Sequence, residues 1–213
     1  MPGVLFYNKV VNVVSIVALT VLTIGLAFFF YGKGRVVSLC SSTQIRPHSL
    51  PIYHGSFPAI LATAPALILM SLWVIADGFV LNQMLIEQFP LELKIEGRQT
   101  ILILLAQIQN ISDGVVVGQP DEWILVLAKK FTNWRNYSDI LISFAAVVCS
   151  LVGGLYGINR IQPAFRARNA VEVLLLAGLG VCSVIAIITT IGIVFSVIFE
   201  SIRFFKLIPP LEF

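Results

Sequence analysis

Charge is scarce in this chain. Lys, Arg, Asp and Glu make up 12% of its 213 residues, where a soluble domain has about 25%. So few ionic groups cannot coat a globule of this size, which excludes a compact soluble enzyme. A disordered chain needs low hydrophobicity and high charge, so it is excluded too. Cysteine is nearly absent. Cys40, Cys149 and Cys182 have no C-x-x-C spacing, and an odd number gives no disulfide scaffold. Cys149 and Cys182 lie in apolar runs, where a small side chain packs between helices.

Catalytic motifs are missing as well. Gly32-Lys33-Gly34-Arg35 has neither the P-loop spacing nor a Ser or Thr after the lysine. Gly178-Leu179-Gly180 sits within an apolar run and lacks the third glycine of a dinucleotide fingerprint. Neither H-E-x-x-H nor G-x-S-x-G occurs. His48 and His54 lie in one loop near Cys40, without the tight spacing and fourth ligand of a zinc site. No basic-aromatic surface suggests nucleic acid. Neither catalytic residues nor a cofactor or metal site is expected.

What is abundant is apolar surface: 58% hydrophobic residues and a mean hydropathy of +0.94. It comes in four long blocks, the pattern of an all-α integral membrane protein. Val10–Gly32 is an uncharged run of 23 residues, enough to cross about 30 Å of hydrocarbon at about 1.5 Å per residue. It is too long for the apolar part of a signal peptide and no A-x-A site follows, so it reads as a retained helix. A second run covers about 57–76 and is closed by Asp77. Pro58 suits its first turn, and Pro65 should bend it. Asp77 reads as interfacial rather than as an intramembrane functional carboxylate. The third run is Ile140–Ile158 and the fourth Val173–Phe199. Asn169 and Glu172 look like the cap of the fourth helix.

The few charges set the orientation. Loop 33–56 carries Lys33, Arg35 and Arg46 and no acid, and loop 159–169 carries Arg160, Arg166 and Arg168 and no acid. The long loop 83–137 mixes five basic with six acidic residues. The two acid-free loops are therefore expected in the cytoplasm, with the long loop and both termini on the far side. A loop of that length should contain its own short amphipathic helices. One is expected over Gln99–Ile111, stopped by Ser112-Asp113-Gly114. Another should begin at Pro120-Asp121-Glu122. The latter has an apolar stripe through Trp123, Val126, Leu127, Phe131 and Trp134, and either lies on the membrane or runs into the third span. It reads as a solvated cap rather than a docking surface.

Two ridges of small residues mark helix-packing faces. Ala145, Cys149, Gly153 and Gly157 recur every four residues in the third span, and Gly178, Cys182, Ala186 and Thr190 in the fourth. In lipid, helices associate where small residues admit close backbone approach. These ridges are expected to contact each other or a partner subunit. The spans contain no paired intramembrane ions, which argues against a proton-coupled carrier.

Three strings carry a family resemblance. GLYGINRIQPAFRARNAVE, residues 154–172, is similar to the linker between the N-terminal membrane extension and the permease core in PstC-type subunits of bacterial phosphate ABC transporters. IFESIRFFKLIPPLEF, residues 198–213, resembles the segment leaving the first core helix of that subunit. HSLPIYHG, residues 48–55, followed by Pro58 and Pro65-Ala66-Leu67, resembles the entry to the second helix of the extension. The resemblance implies a permease subunit of the bacterial inner membrane. Its implied partners are a PstA-type permease, cytoplasmic ATPase subunits and a periplasmic phosphate-binding protein, and ATP is hydrolysed on the separate ATPase. It implies a three-helix extension over 1–168 and a first core helix over 169–213. The further core helices and the Glu-Ala-Ala coupling loop of the family are not in this sequence, so it reads as an N-terminal fragment unable to transport alone. Arg160, Arg166 and Arg168 match the linker, which implies an orienting and subunit-contact role; plain positive-inside anchoring is the other reading. The alternative function is a stand-alone membrane assembly protein that binds partner helices through its ridges. For the topology, a reporter fused near Val116 should read as external and one at Arg166 as cytoplasmic; the reverse pattern would refute the orientation.

Overall fold

The computed structural model describes residues 3–43, 49–90, 97–116, 118–162 and 165–207. Among these, every regular element is a helix: α1 (Gly3–Thr43), α2 (Pro51–Glu87), α3 (Arg98–Ser112), α4 (Glu122–Asn159) and α5 (Ala167–Leu207). Helices α1, α2, α4 and α5 are long and apolar enough to cross a membrane. The chain forms two units, Met1–Phe165 and Arg166–Phe213.

The helices outrun the uncharged runs that nucleate them. At about 1.5 Å per residue, the 37 residues of α2 reach about 55 Å, against about 30 Å of hydrocarbon. A helix satisfies its own backbone in lipid and in water alike, so nothing forces it to stop at the membrane surface. Much of the expected loop 33–56 is therefore helical, and Pro51 sits at the start of α2, where its missing N–H costs nothing. The expected helix at Pro120-Asp121-Glu122 does begin there and runs unbroken into the third span, as α4. Helix α3 ends as its sequence suggests. Gly114 takes a left-handed φ of 87°, and Val115 N–H donates to the Asn110 carbonyl at 2.8 Å, a Schellman stop. Helix α5 starts two residues before the expected cap at Asn169. The Arg166 carbonyl accepts from Ala170 N–H at 3.2 Å, and Glu172 pairs with Arg168 at 2.7 Å instead of capping.

In the first unit α1, α2 and α4 pack as an up-down-up bundle. The two prolines inside α2, Pro58 and Pro65, organise the contact. A helical proline has no N–H, so the carbonyl four residues earlier loses its partner. For Pro58 that is the His54 carbonyl, and for Pro65 the Leu61 carbonyl. Each freed carbonyl faces a glycine of a neighbouring helix. A Cβ on Gly32 of α1 would lie 2.8 Å from the His54 oxygen, and one on Gly153 of α4 would collide with the Leu61 oxygen. With hydrogen in place of Cβ, the glycine offers a Cα–H to that oxygen, a weak bond that recurs at helix interfaces. Gly157 rests on Pro58 itself, where a Cβ would come within 2.6 Å of its Cα. Gly154, one residue round the helix, takes the Phe28 ring of α1. One four-residue stripe of α4 thus meets α2, and the adjacent stripe of Ala146, Ser150 and Gly154, all buried, turns away from solvent beside it.

Three apolar clusters fill the bundle along its length. Val21, Ala66, Met70 and Ala146 form the middle one, and Val36, Ile158 and Ile161 the one at the α1–α2 connection. The third lies at the other end, where α3 packs its buried Leu105 and Ile108 between the extensions of α2 and α4, against Leu81, Leu85, Ile124, Leu127 and Phe131. Outward residues such as Ile75, Phe144 and Val152 are more than half exposed; in a membrane protein these face lipid.

Gly153→Ala should lower bundle stability by about 1–3 kcal/mol through overpacking, read as a lower thermal midpoint in detergent. Gly178→Ala, where nothing lies within 4 Å of the added methyl, should be neutral or slightly stabilising. Equal effects would refute the carbonyl–glycine contact.

Candidate functional site

Polar groups within the first unit gather where α2 and α4 leave the apolar runs, beside the α3 cap. Ser138 of α4 donates its hydroxyl to Asp77 Oδ1 of α2 at 2.6 Å. The Trp73 indole N–H in turn donates to Ser138 Oγ at 3.0 Å. Trp73 and Asp77 are one helical turn apart, so both reach the same hydroxyl across the interface. Arg135, almost one turn before Ser138, lies 3.6 Å from Asp113 at the end of α3 and stacks over the Phe131 ring at 5.5 Å. Burial pushes the Asp113 carboxyl above its ordinary range, and Arg135 offsets part of that rise. Ser112 shares a hydrogen bond with Thr132 at 2.9 Å, and Gln109 donates to Asn82 at 2.8 Å. The last turn of α3 is thus fastened to both long helices by polar bonds over an apolar base. A groove of about 260 Å³ opens next to the Asp77–Ser138 bond, walled by Trp73, Met84, Trp134 and Tyr137.

At the opposite end Arg160 is exposed at the close of α4, with its guanidinium 5.3 Å over the Tyr156 ring and donating to the Tyr156 hydroxyl at 2.9 Å. His54 is fully buried near the start of α2, and neither ring nitrogen has a hydrogen-bond partner. The Phe165 ring lies against it at 6.2 Å and against Phe57 at 5.0 Å. Arg46 and His48 lie outside the described residues. Among the described residues no group of His, Cys, Asp and Glu is placed to hold a metal ion.

The α4 ridge of Ala145, Cys149, Gly153 and Gly157 is partly or fully buried, with its two glycines against α2. In the second unit Arg166 is exposed and Arg168 is engaged by Glu172. Gly178, Cys182, Ala186 and Thr190 are all exposed, as is every residue from 175 to 205. The described spans therefore offer close-packed helices, a polar clasp at one end and basic residues at the other, but no nucleophile paired with a base.

A family model for the phosphate ATP-binding cassette transporter matches residues 18–189. The chain belongs to that family. No curated protein and no solved structure matches it. The family match starts within α1, takes in α2 to α4 entirely and ends within α5. In this transporter-family chain, the residues that sequence reasoning missed are Ser138, Arg135 and Trp73. Asp77 was visible as the lone acid closing the second run, but its partner lies 61 residues away. Only the antiparallel register of α2 and α4 brings them together.

Asp77→Ala should cost about 1.5–3 kcal/mol, the worth of a hydrogen bond to a charged group. Amide exchange should quicken in α2 and α4 around residues 73–77 and 135–138. Asp77→Asn, which keeps an acceptor oxygen, should cost less. An equal loss in both variants would refute the hydrogen-bond role.

Proposed function

We propose that this chain is a permease-type membrane component of an ATP-driven phosphate importer. The observation that carries the reading is the family match over residues 18–189, which spans the bundle and enters α5. Residues 1–168 serve as an N-terminal three-helix extension, and residues 169–213 carry the first helix of the permease core. Phosphate is a strongly hydrated anion, and a path for it needs polar or cationic lining. The runs 10–32, 57–76, 140–158 and 173–199 contain no charge. The path is therefore built with further permease helices, including those of a PstA-type partner, and the exposed apolar length of α5 is the surface that meets them. Cytoplasmic ATPase subunits supply the energy, and a periplasmic phosphate-binding protein supplies the substrate.

The protein sits in the bacterial inner membrane. Residues 33–56 and 159–169 face the cytoplasm, and the α3 cap and both termini face the periplasm. This places the cap on the side of the binding protein and Arg160, Arg166 and Arg168 on the side of the ATPase. The arginines orient the chain and contact neighbouring subunits. The small-residue ridges hold helices together.

Deleting the chain from a bacterium that encodes it should abolish uptake of radiolabelled phosphate at low external concentration. Restoring it together with the partner permease and ATPase should restore uptake, and the three should co-purify. Unchanged uptake on deletion, with no co-purification, would refute the transport role and leave the assembly-protein reading.

A further inference from the structure

A furrow of about 510 Å³ runs along the lipid-facing side of the bundle between α1 and α4. It follows one stripe of α1, from Ile24 past Phe28 and Tyr31 to Arg35, and is closed on the other side by Leu155 and Asn159 of α4. Its origin is the small-residue packing described above. Gly154 takes the Phe28 ring, and Val36 packs on Ile158 and Ile161. The two helices touch along that inner line and splay outside it. Its contents are exposed: Tyr31 is 60% and Leu155 55% accessible.

The furrow is polar at one end only. Its walls are apolar for about two and a half turns of α1, and Arg35 and Asn159 sit together at its mouth. Arg35 is half-buried, and among the described residues no carboxylate forms an ion pair with it. The other arginines of this unit with described contacts are engaged: Arg135 with Asp113 and Arg160 with Tyr156. No acidic residue occurs in 10–76 or in 140–165, so the mouth is cationic without local compensation. A half-buried guanidinium presents fixed donors that suit a phosphate.

We propose that this furrow holds an acyl chain of an anionic glycerophospholipid, with the headgroup phosphate bound by Arg35 and Asn159. The apolar walls take the chain, and the cationic mouth selects the headgroup at the membrane surface. The site is independent of the transport reading, because it needs only that α1 and α4 cross the bilayer.

The full-length protein in detergent, titrated with dioleoyl phosphatidylglycerol or dioleoyl phosphatidylcholine and read by native mass spectrometry, tests this. Phosphatidylglycerol should be retained at least about fivefold more tightly, the effect of one basic residue at a membrane surface. Arg35→Gln should bring it to the phosphatidylcholine level, and Ala27→Phe, which narrows the furrow, should weaken both lipids. Arg160→Gln, whose arginine is exposed and outside the furrow, should leave retention unchanged. Circular dichroism reports whether each variant is folded, and should Ala27→Phe fail to fold, the two arginine variants decide alone. Equal retention of the two lipids, no effect of Arg35→Gln, or equal effects of Arg35→Gln and Arg160→Gln would overturn the proposal. So would displacement of phosphatidylglycerol by inorganic phosphate, or a second copy of the chain occupying the furrow.

Discussion

A carbonyl without its helical partner inside a packed bundle has to be met by a neighbouring helix, because water does not reach it there. Pro58 and Pro65 create two such carbonyls inside α2, at His54 and Leu61. The neighbouring helices answer each with a glycine, Gly32 on α1 and Gly153 on α4. The prolines that remove these hydrogen bonds thus sit opposite glycines that admit close backbone approach. This makes α2 the central element, and both other spanning helices of the first unit are registered against it. Where α4 lies against α2 also decides where α1 and α4 part, and the furrow beside Arg35 is the consequence.

The same register controls the other end. Once Gly153 and Gly157 are seated on Leu61 and Pro58, the antiparallel course of the helices brings Ser138 opposite Asp77 about four turns away. Trp73 completes the clasp, and Arg135 reaches Asp113 on α3. The cap therefore inherits its geometry from contacts deep in the bundle.

Several features were legible because they are local. The uncharged runs, the Gly114 stop and the start at Pro120-Asp121-Glu122 each depend on residues within a few positions. Helical periodicity alone puts Ala145, Cys149, Gly153 and Gly157 on one face, and the structure seats Gly153 and Gly157 on α2. What this face packs against was not legible, because the matching feature on α2 is a pair of freed carbonyls, which leave no small-residue signature. Charge marks the edge of the hydrocarbon, not the end of a helix, so Lys33 and Arg35 lie within α1. Of the two courses left open for the stretch from Trp123 to Tyr137, the run into the third span is the one observed. At the second unit, the Asn169 cap lost to an Arg168–Glu172 pair one turn apart, which favours starting the helix earlier.

The scarcity of charge and the long apolar runs by themselves determined a membrane protein built of helices, four of which among the described residues are long and apolar enough to span, since hydropathy and helical period are properties of short stretches of chain. The linker strings pointed to the phosphate transporter family, to which the chain belongs. Only the tertiary structure decided which faces meet, that Asp77 is held by Ser138 and Trp73, that Arg135 fastens α3, and that Arg35 closes a furrow without a carboxylate partner among the described residues. Each of these joins residues far apart in sequence. Such pairings follow from helix register, and the register is fixed by backbone contacts that a list of side chains does not contain.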